Sequence, residues 1–410
     1  MTLPQPRLPR FDVVVGSLLL FLSPAAATIG VAELALDSDF ENGNGIVVEV
    51  DQEAGRITFS PERLRGSVNI WWHVRLTGVE PGRELELVVT GFDNVARECN
   101  PVFSYDRKTW HRLNDTTSPH RQTFEQSTVW IARNIPYTYT DSLELAQLIA
   151  RDHGKLVQVS DLCTSEGGKA VKLLRITDPD TSDDGKQLIW LQARQHAFES
   201  HSSHVAEALA WWLCGDSDEA TALRQQAIVC IVPVVDVDSV IDGGAGKNQQ
   251  PVDFNRSWSR DSHWAAVRAV IELLDQKTQQ HELAVFIDLH SPYYADSNHW
   301  YLPKPEALQV HAHAFARLYA DTVKDIEGAN HWDQRARMID AAGSEDTRAR
   351  NYATSHWLDD TARAVAMTME VAHWTDGRNR GEGGFITLDG LRDYGRALGV
   401  AMARWLEEDA

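Results

Sequence analysis

Short apolar runs separated by turn residues mark the first third of the chain. These runs, bounded by Gly, Asn or Pro, are Gly45–Asp51, Arg56–Phe59, Val68–Leu76 and Glu84–Val89. Such spacing, with turn signals such as Glu80-Pro81-Gly82, predicts a small antiparallel β-sandwich over residues 28–134. Trp71 and Trp72 are adjacent in the third run and so point to opposite faces of a strand. We expect one in the sandwich core and the other against a neighbouring domain or ligand, or simply packed.

The pattern changes after Ile135-Pro136, where predicted strands and helices alternate. The strands are Val157–Val159, Val171–Ile176, Leu188–Leu191, Ala227–Val232 and Ala284–Leu289. The helices are Asp141–His153, His201–Leu213, His263–Gln279, Pro305–Ile326 and Leu388–Glu408. Unbroken apolar strands interleaved with helices predict an α/β fold, with a mixed, mostly parallel central sheet and helices on both faces. Because 410 residues exceed the usual size of one core, we predict two domains, 28–134 and 135–410.

The start of the chain has the three parts of a secretory signal. Arg7 and Arg10 precede the apolar run Val13–Leu22, and the small residues Ser23-Pro24-Ala25-Ala26-Ala27 follow it. This arrangement predicts a signal peptide over residues 1–27 and a periplasmic or secreted protein. The apolar run is too short for a permanent membrane span. The alternative is an irregular tail on a cytoplasmic protein.

The charge balance argues against nucleic acid as a partner. The chain has 39 Lys and Arg against 59 Asp and Glu, a net charge of −20, whereas phosphate contacts need a basic surface. Cys99, Cys163, Cys214 and Cys230 show no Cys-x-x-Cys spacing. They favour buried free thiols, although an exported protein leaves one or two disulfides open. The oligomeric state also stays open.

A candidate metal site lies at the ends of two predicted strands. His196 and Glu199 follow the strand Leu188–Leu191 as a His-x-x-Glu segment, and His290 directly follows the strand ending at Leu289. Ligands of such sheets gather at the carboxyl ends of the strands. Catalytic zinc uses three protein ligands and leaves a fourth position for water. The sequence therefore predicts one zinc ion held by these three side chains.

Two further segments carry residues of the kinds that zinc hydrolysis needs. Asp253-Phe254-Asn255-Arg256 lies between the ligand segments, and Glu370 lies in the apolar run Ala366–Val371. A glutamate inside an apolar strand is costly unless it is paired or functional. Taken alone, Asp253–Arg256 is typical of a turn with a surface ion pair. Glu370 alone is typical of an edge strand whose glutamate faces water.

Together and in order, these segments resemble the zinc metallocarboxypeptidases. They are His196-x-x-Glu199, Asp253-x-Asn255-Arg256, His290-Ser291 and Thr368-Met369-Glu370. The likeness is closer to the branch typified by cytosolic carboxypeptidases, which carries a β-sandwich ahead of the catalytic domain, and Gly43–Trp110 resembles that sandwich. The resemblance implies a hydrolase that removes the C-terminal residue of peptides or proteins.

The resemblance also implies a role for each site residue. His196, Glu199 and His290 would bind the zinc ion. Glu370 would be the general base that takes a proton from the zinc-bound water and later delivers it to the leaving amine. Asp253 would accept a hydrogen bond from a zinc-ligating imidazole, that of His196.

Some substrate-binding residues match the family pattern and others do not. Asn255 and Arg256 would hold the terminal carboxylate of the substrate, which a guanidinium binds bidentately. The family's carbonyl-polarising arginine has no counterpart just before the Asp-x-Asn-Arg motif, where Lys247 is the candidate and Arg348 the alternative. Tyr352 is the candidate for a family tyrosine that precedes the base in the sequence, unless it belongs to the core.

Two other functions stay open. A zinc deacylase acting on small N-acyl amino acids would use a similar zinc set, and a binding module without catalysis would explain the missing arginine. The sandwich and the Asn255–Arg256 pair favour peptides over acylated amino acids. The retained ligands and Glu370 favour catalysis over binding alone.

Overall fold

A computed structural model describes the chain in several separate stretches. These are residues 33–91, 101–115, 118–291, 299–302, 306–325, 337–340, 365–373 and 385–408. The predicted signal segment 1–27, Cys99, Arg348 and Tyr352 lie outside the described residues. The strands that are described form three sheets.

Two of these sheets form the predicted sandwich. Its strands are Ala35–Asp37 (β1), Ile46–Asp51 (β2), Arg56–Ser60 (β3), His73–Thr77 (β4), Glu84–Val89 (β5), Val102–Ser104 (β6), His111–Arg112 (β7), His120–Thr123 (β8) and Thr128–Ala132 (β9). As far as the described residues go, the sheet orders are β1-β4-β9-β6-β7 and β2-β3-β5-β8. Neighbouring strands run antiparallel as predicted, except that β3 and β5 are parallel. The exception arises because β4, which joins them in sequence, lies in the other sheet.

The adjacent tryptophans lie in two different apolar clusters. They come directly before β4, outside the strand that the sequence predicts over them. Trp72 packs in the sandwich core against Phe59, with ring centroids 5.5 Å apart. Trp71 packs against Phe198 and Ala245, which belong to the second part of the chain. Trp72 therefore lies in the sandwich core as expected of one of the pair, and Trp71 packs against the second part of the chain, which is one of the alternatives that the sequence leaves open.

The third sheet is the largest of the three. Its strands are Val157–Thr164 (β10), Ala170–Ile176 (β11), Gln187–Ala193 (β12), Ala227–Val232 (β13), Leu283–His290 (β14), His299–Leu302 (β15), Arg337–Asp340 (β16) and Val365–Glu370 (β17). Over the described residues their order is β10-β11-β13-β12-β14-β17-β15-β16. The central strands β13, β12, β14 and β17 are parallel, whereas β11 and β15 join them antiparallel. The predicted mixed sheet with a parallel centre is confirmed.

Helices cover both faces of this sheet. They are Tyr139–His153 (α1), Ser200–Leu213 (α2), Asp218–Gln226 (α3), Val237–Asp242 (α4), Ala265–Lys277 (α5), Glu306–Asp325 (α6) and Leu388–Glu408 (α7). Along β12, Ile189 and Leu191 pack on the face that carries α1, α2, α6 and α7. Leu188 and Trp190 pack on the opposite face with α4 and α5. In the described stretches, no helix is long and apolar enough to cross a membrane.

The described cysteines agree with the predicted free thiols. Cys163, Cys214 and Cys230 are all unbridged, and the last two are buried. Burial raises the pKa of Cys163 and Cys230 to about 11 and that of Cys214 to about 12. These thiols are therefore protonated and weakly nucleophilic near neutral pH.

Candidate metal centre and active site

Two neighbouring parallel strands bring the predicted metal ligands together. His290 is the last residue of β14, and β14 pairs with β12, whose last residue, Ala193, is in register with Leu289. His196 and Glu199 follow in the loop between β12 and α2, with Glu199 as the N-cap residue of that helix. Because both strands point the same way, their carboxyl ends meet at one edge of the sheet.

A buried arginine fixes the loop that carries His196. Arg194 has a φ of 65°, and its guanidinium donates hydrogen bonds to the carbonyl oxygens of Ala197 and Tyr137, both at 3.0 Å. Burial lowers the pKa of Arg194 to about 10, so the guanidinium stays charged at neutral pH. The loop therefore turns sharply after β12 and places His196 over the strand ends.

One atom from each predicted ligand converges on a common point. His196 Nδ1 lies 3.0 Å from Glu199 Oε1, and His290 Nδ1 lies 2.8 Å from Glu199 Oε2. The two Nδ1 atoms are 3.2 Å apart, and all three side chains are buried. The ligand atoms of this set lie within 4.8 Å of one another. Two imidazole nitrogens and one carboxylate are a donor set that catalytic zinc uses, so these residues fit a zinc ion.

The other nitrogen of each imidazole faces a buried carboxylate. His196 Nε2 lies 3.1 Å from Asp253 Oδ1, and His290 Nε2 lies 2.9 Å from Asp288 Oδ2. An Nε2–H that donates to a carboxylate leaves the Nδ1 lone pair free for a metal and fixes the ring orientation. The pairing also lowers the pKa of Asp253, because the His196 imidazole and Lys247 outweigh the opposing effect of burial.

Asp288 is a site residue that the sequence analysis missed. Its carboxylate is fully buried and also accepts hydrogen bonds from the side-chain amides of Gln192 (3.1 Å) and Gln195 (2.6 Å). Trp258 in turn donates from its indole to Gln195 Oε1 at 2.7 Å. The available signal was the spacing Asp288-x-His290 in a strand, since alternate residues share a face.

The metal ligands Glu199 and His290 shift each other's pKa strongly. Burial lowers the pKa of His290, but the carboxylates of Asp288 and Glu199 outweigh it and hold this pKa well above its ordinary value. Burial raises the pKa of Glu199, but His196 and His290 outweigh it and hold this pKa below its ordinary range. The ligand set therefore contains an ionised carboxylate, as a metal ligand must.

Glu370 lies beside the ligands on the next strand. It is the last residue of β17 and is in register with His290 of β14. Its Oε2 atom is buried and has no hydrogen-bond partner among the described residues. Burial raises the pKa of Glu370 to about 7, against the opposing charges of His290 and His196. A carboxyl group with such a pKa can both accept and donate a proton near neutral pH.

Lys247 lies on the Asp253 side of the His196 ring. Its Nζ atom is 3.5 Å from His196 Nε2 and 4.0 Å from Asp253 Oδ2. Its side chain is 31% exposed, so the ammonium group borders the solvent-facing side of the site. It also helps to lower the pKa of Glu370, against the dominant effect of burial.

The predicted anchor residues form a single 3-10 turn next to the ligands. Asp253 begins this turn by accepting hydrogen bonds from the backbone N–H groups of Asn255 (2.9 Å) and Asn248 (2.8 Å). The side-chain amide of Asn255 lies 3.3 Å from His290 Nε2. The Arg256 guanidinium donates to the Asn255 carbonyl oxygen at 2.8 Å. The turn thus places Asn255 against a metal ligand, with Arg256 as the next residue of the same turn.

Two family models match the chain over consecutive segments. The model described as "Cytosolic carboxypeptidase N-terminal domain" matches residues 36–139. The model described as "Zinc carboxypeptidase" matches residues 143–373, more than half of the 410 residues. The first match covers the sandwich strands, and the second covers the parallel centre of the large sheet.

Individual proteins agree with these models. Cytosolic carboxypeptidase 3 of Mus musculus is 24% identical over 291 residues, which are 63% of this chain and 29% of the mouse protein. Cytosolic carboxypeptidase 6 of Caenorhabditis elegans is 25% identical over 290 residues, 64% of this chain and 63% of the worm protein. This chain therefore spans less than two thirds of either relative. A metallo-carboxypeptidase structure from Burkholderia cenocepacia has the same fold, with a TM-score of 0.77 at 21% identity over 92% of this chain and 100% of that one. The chain belongs to the zinc carboxypeptidase family.

Proposed function

We propose that the protein is a zinc-dependent metallocarboxypeptidase that hydrolyses the C-terminal peptide bond of peptides or proteins. The observation that carries the proposal is the convergence of His196, Glu199 and His290, with Glu370 in register beside His290. Membership of the zinc carboxypeptidase family supports the same activity. His196, Glu199 and His290 would hold one zinc ion, which would supply polarisation of the scissile carbonyl and of the attacking water.

Glu370 would act first as the general base and then as the general acid of the reaction. Its carboxylate would take a proton from the attacking water and deliver it to the nitrogen of the leaving amine. Burial raises the pKa of this carboxyl in the metal-free site, which favours acceptance of the proton and its later return. A bound dication would lower this pKa, because a nearby positive charge favours the carboxylate form.

The substrate would be held by its terminal carboxylate. Asn255 and Arg256 would donate hydrogen bonds to it from the turn beside the ligands. Lys247 would stabilise the negative charge that develops on the carbonyl oxygen, with Arg348 as the alternative donor. Tyr352, which precedes Glu370 in the sequence, would be the family tyrosine; both Arg348 and Tyr352 lie outside the described residues.

A substrate panel distinguishes this function from its two rivals. We would compare peptides with a free C-terminus, the same peptides as C-terminal amides, and N-acyl amino acids, with metal analysis of the same sample. A carboxypeptidase releases one residue from the free-ended peptides only. Faster cleavage of the N-acyl amino acids would indicate the deacylase. Bound zinc without turnover of any substrate would indicate the binding module.

Arg256→Ala is expected to remove much of the preference for a free C-terminus. Hydrogen bonds to charged groups are worth about 1.5–3 kcal/mol, so kcat/KM for free-ended peptides should fall by about 10- to 100-fold. Turnover of the amidated peptides should change little, because they lack the carboxylate that Arg256 would bind. Arg260→Ala, which removes an exposed arginine paired with Asp275, serves as the matched control. Equal losses on both peptide sets would rule out Arg256 as the anchor.

Asp288→Asn is expected to weaken zinc binding. The change replaces a carboxylate that accepts from His290 Nε2 by an amide that presents a donor to the same neighbours. Loss of such a partner typically lowers metal affinity by about 10- to 100-fold. Competition with a chelator of known affinity measures the change, and Asp161→Asn, an exposed carboxylate paired with Lys172, is the control. A zinc affinity equal to that of the wild type would contradict the role of Asp288.

We propose a cytoplasmic location for the protein. The N-terminal family model and both relatives carry the word cytosolic in their descriptions, which favours the cytoplasmic alternative. The export signal over residues 1–27 stays a prediction because those residues lie outside the described part of the chain. The domain division at residues 134 and 135 also stays a proposal.

A further inference from the structure

The C-terminal end of helix α4 is capped by residues of the sandwich. The Asn42 backbone N–H donates to Ile241 O, and its side-chain Nδ2 donates to Val240 O, both at 2.9 Å. Asn44 Nδ2 donates to Gly243 O at 2.8 Å. The last carbonyls of a helix have no partner within the helix and need donors from elsewhere. Here the donors come from asparagines that are 198 and 199 residues away in sequence.

This junction between the sandwich and α4 is tightly packed. Asn42 is 0% exposed and Asn44 is 4% exposed. Gly243 ends the helix with a φ of 75°, and a Cβ atom at Gly243 would collide with the carbonyl oxygen of Gly43. The segment that leaves α4 therefore has little freedom to shift against the sandwich.

The segment after α4 leads directly to the metal site. Ala245 O accepts a hydrogen bond from Phe198 N at 3.1 Å, between the two metal ligands of that loop. A Cβ atom at Gly246 would lie 2.6 Å from Ala197 N and 3.2 Å from His196 Cα, so the backbones are in close contact. Asn248 N then donates to Asp253 Oδ2 at 2.8 Å. The path ends at the carboxylate that faces His196.

Two further backbone hydrogen bonds attach this segment to the sandwich, one at Lys247 itself and one at Gln250. Val68 N donates to Lys247 O at 2.9 Å, and Gln250 N donates to Arg65 O at 2.8 Å. The position of Lys247 beside His196 is thus set by main-chain contacts to the sandwich as well as by α4.

We propose that Asn42 and Asn44 are positioning residues for the His196 side of the metal centre. By capping α4 they fix residues 243–248, and these residues fix Lys247, Asp253 and the backbone of His196. The sandwich therefore acts on the chemistry of the site through its hydrogen bonds to α4 and to the segment that follows it. The inference rests on the proposed function, since it concerns the same zinc site.

The test compares two asparagines that each donate to two carbonyl oxygens. Asn44→Asp places an oxygen against the carbonyls of Gly243 and Glu62, which its Nδ2 now contacts. Asn69→Asp is the matched control, because Asn69 Nδ2 donates to Pro61 O and Gly91 O within the sandwich. Zinc affinity is measured by chelator competition, and kcat and KM are measured at saturating zinc.

Asn44→Asp should weaken zinc affinity by about tenfold, the lower end of the effect of losing a partner of a ligand. It should also lower kcat with KM unchanged, whereas Asn69→Asp should leave zinc affinity and kcat at the wild-type values. If Asn44→Asp does not fold, Asn44→Ala, which removes the donor without adding charge, takes its place. Equal effects of the Asn44 and Asn69 variants would overturn the inference. A wild-type protein that neither binds zinc nor cleaves peptides would instead refute the proposed function.

Discussion

Glu370→Gln is expected to abolish peptide hydrolysis while one zinc ion stays bound. Glutamine has nearly the same shape as glutamate, so β17 and its register with His290 should persist. An amide cannot take a proton from the attacking water, and general-base catalysis contributes up to about 10⁴-fold to rates. We expect kcat to fall by about this factor. The measurement is single-residue release from a free-ended peptide, with zinc content determined on the same sample.

The companion variant Glu144→Gln tests whether the effect is specific. Glu144 is exposed on α1, so its replacement by glutamine removes the same charge at a position away from the site. This variant should retain full activity. Substantial turnover by Glu370→Gln with normal zinc content would exclude Glu370 as the general base.

His196→Ala is expected to remove both the zinc ion and the activity. The change deletes one of three converging ligand atoms and leaves the buried carboxylate of Asp253 without its imidazole partner. Asp253 keeps its backbone donors at Asn248 and Asn255, but the loss of one hydrogen bond to a buried carboxylate still costs stability, so we expect a destabilisation of about 1–3 kcal/mol. Zinc per chain after dialysis, peptide turnover and thermal unfolding measure the three effects.

His111→Ala provides the control for this variant. His111 is an exposed residue of β7, in the sandwich. Its loss should change neither zinc content nor turnover. If His196→Ala kept one zinc ion per chain and wild-type turnover, the assignment of the metal site would be wrong.

The central strands and the position of the site can be predicted from sequence for a simple physical reason. A strand buried on both faces must be apolar along its whole length, so β12, β13 and β14 stand out in the chain. The polar residues that follow such strands, His196 and His290, are then expected at one edge of the sheet. Glu199 is a candidate third ligand by its His-x-x-Glu spacing, a weak signal alone, which the resemblance to the zinc carboxypeptidases strengthens.

The contacts around the ligands are not predictable in the same way. The cap of α4 joins Asn42 to Val240, which are far apart in sequence, and no periodicity reports a contact between two loops. The helix itself has only six residues, too few for a helical pattern to be recognised. Lys247 could be identified as a candidate donor, but its location beside Asp253 depends on this loop packing.

The sandwich illustrates a second limit of prediction from sequence. Alternating residues predict its strands, yet they do not say which strands share a sheet, and β3 and β5 are parallel where a simple meander would be antiparallel. The choice depends on how the chain crosses between the sheets. Trp71 and Trp72 lie in different apolar clusters because adjacent residues in an extended chain point in opposite directions, whether or not a regular strand forms.

The cap of α4 has a consequence for how the molecule unfolds. Local opening of the sandwich around Asn42 and Asn44 would remove the asparagine donors from the carbonyls of Ile241 and Gly243 and one of the two donors from that of Val240, and unpaired buried polar groups are costly. The same opening would uncover Trp71. We therefore expect the sandwich and α4 to open together at this boundary. The metal-binding loop would then be protected against local unfolding by hydrogen bonds to the sandwich, which lies outside the catalytic fold.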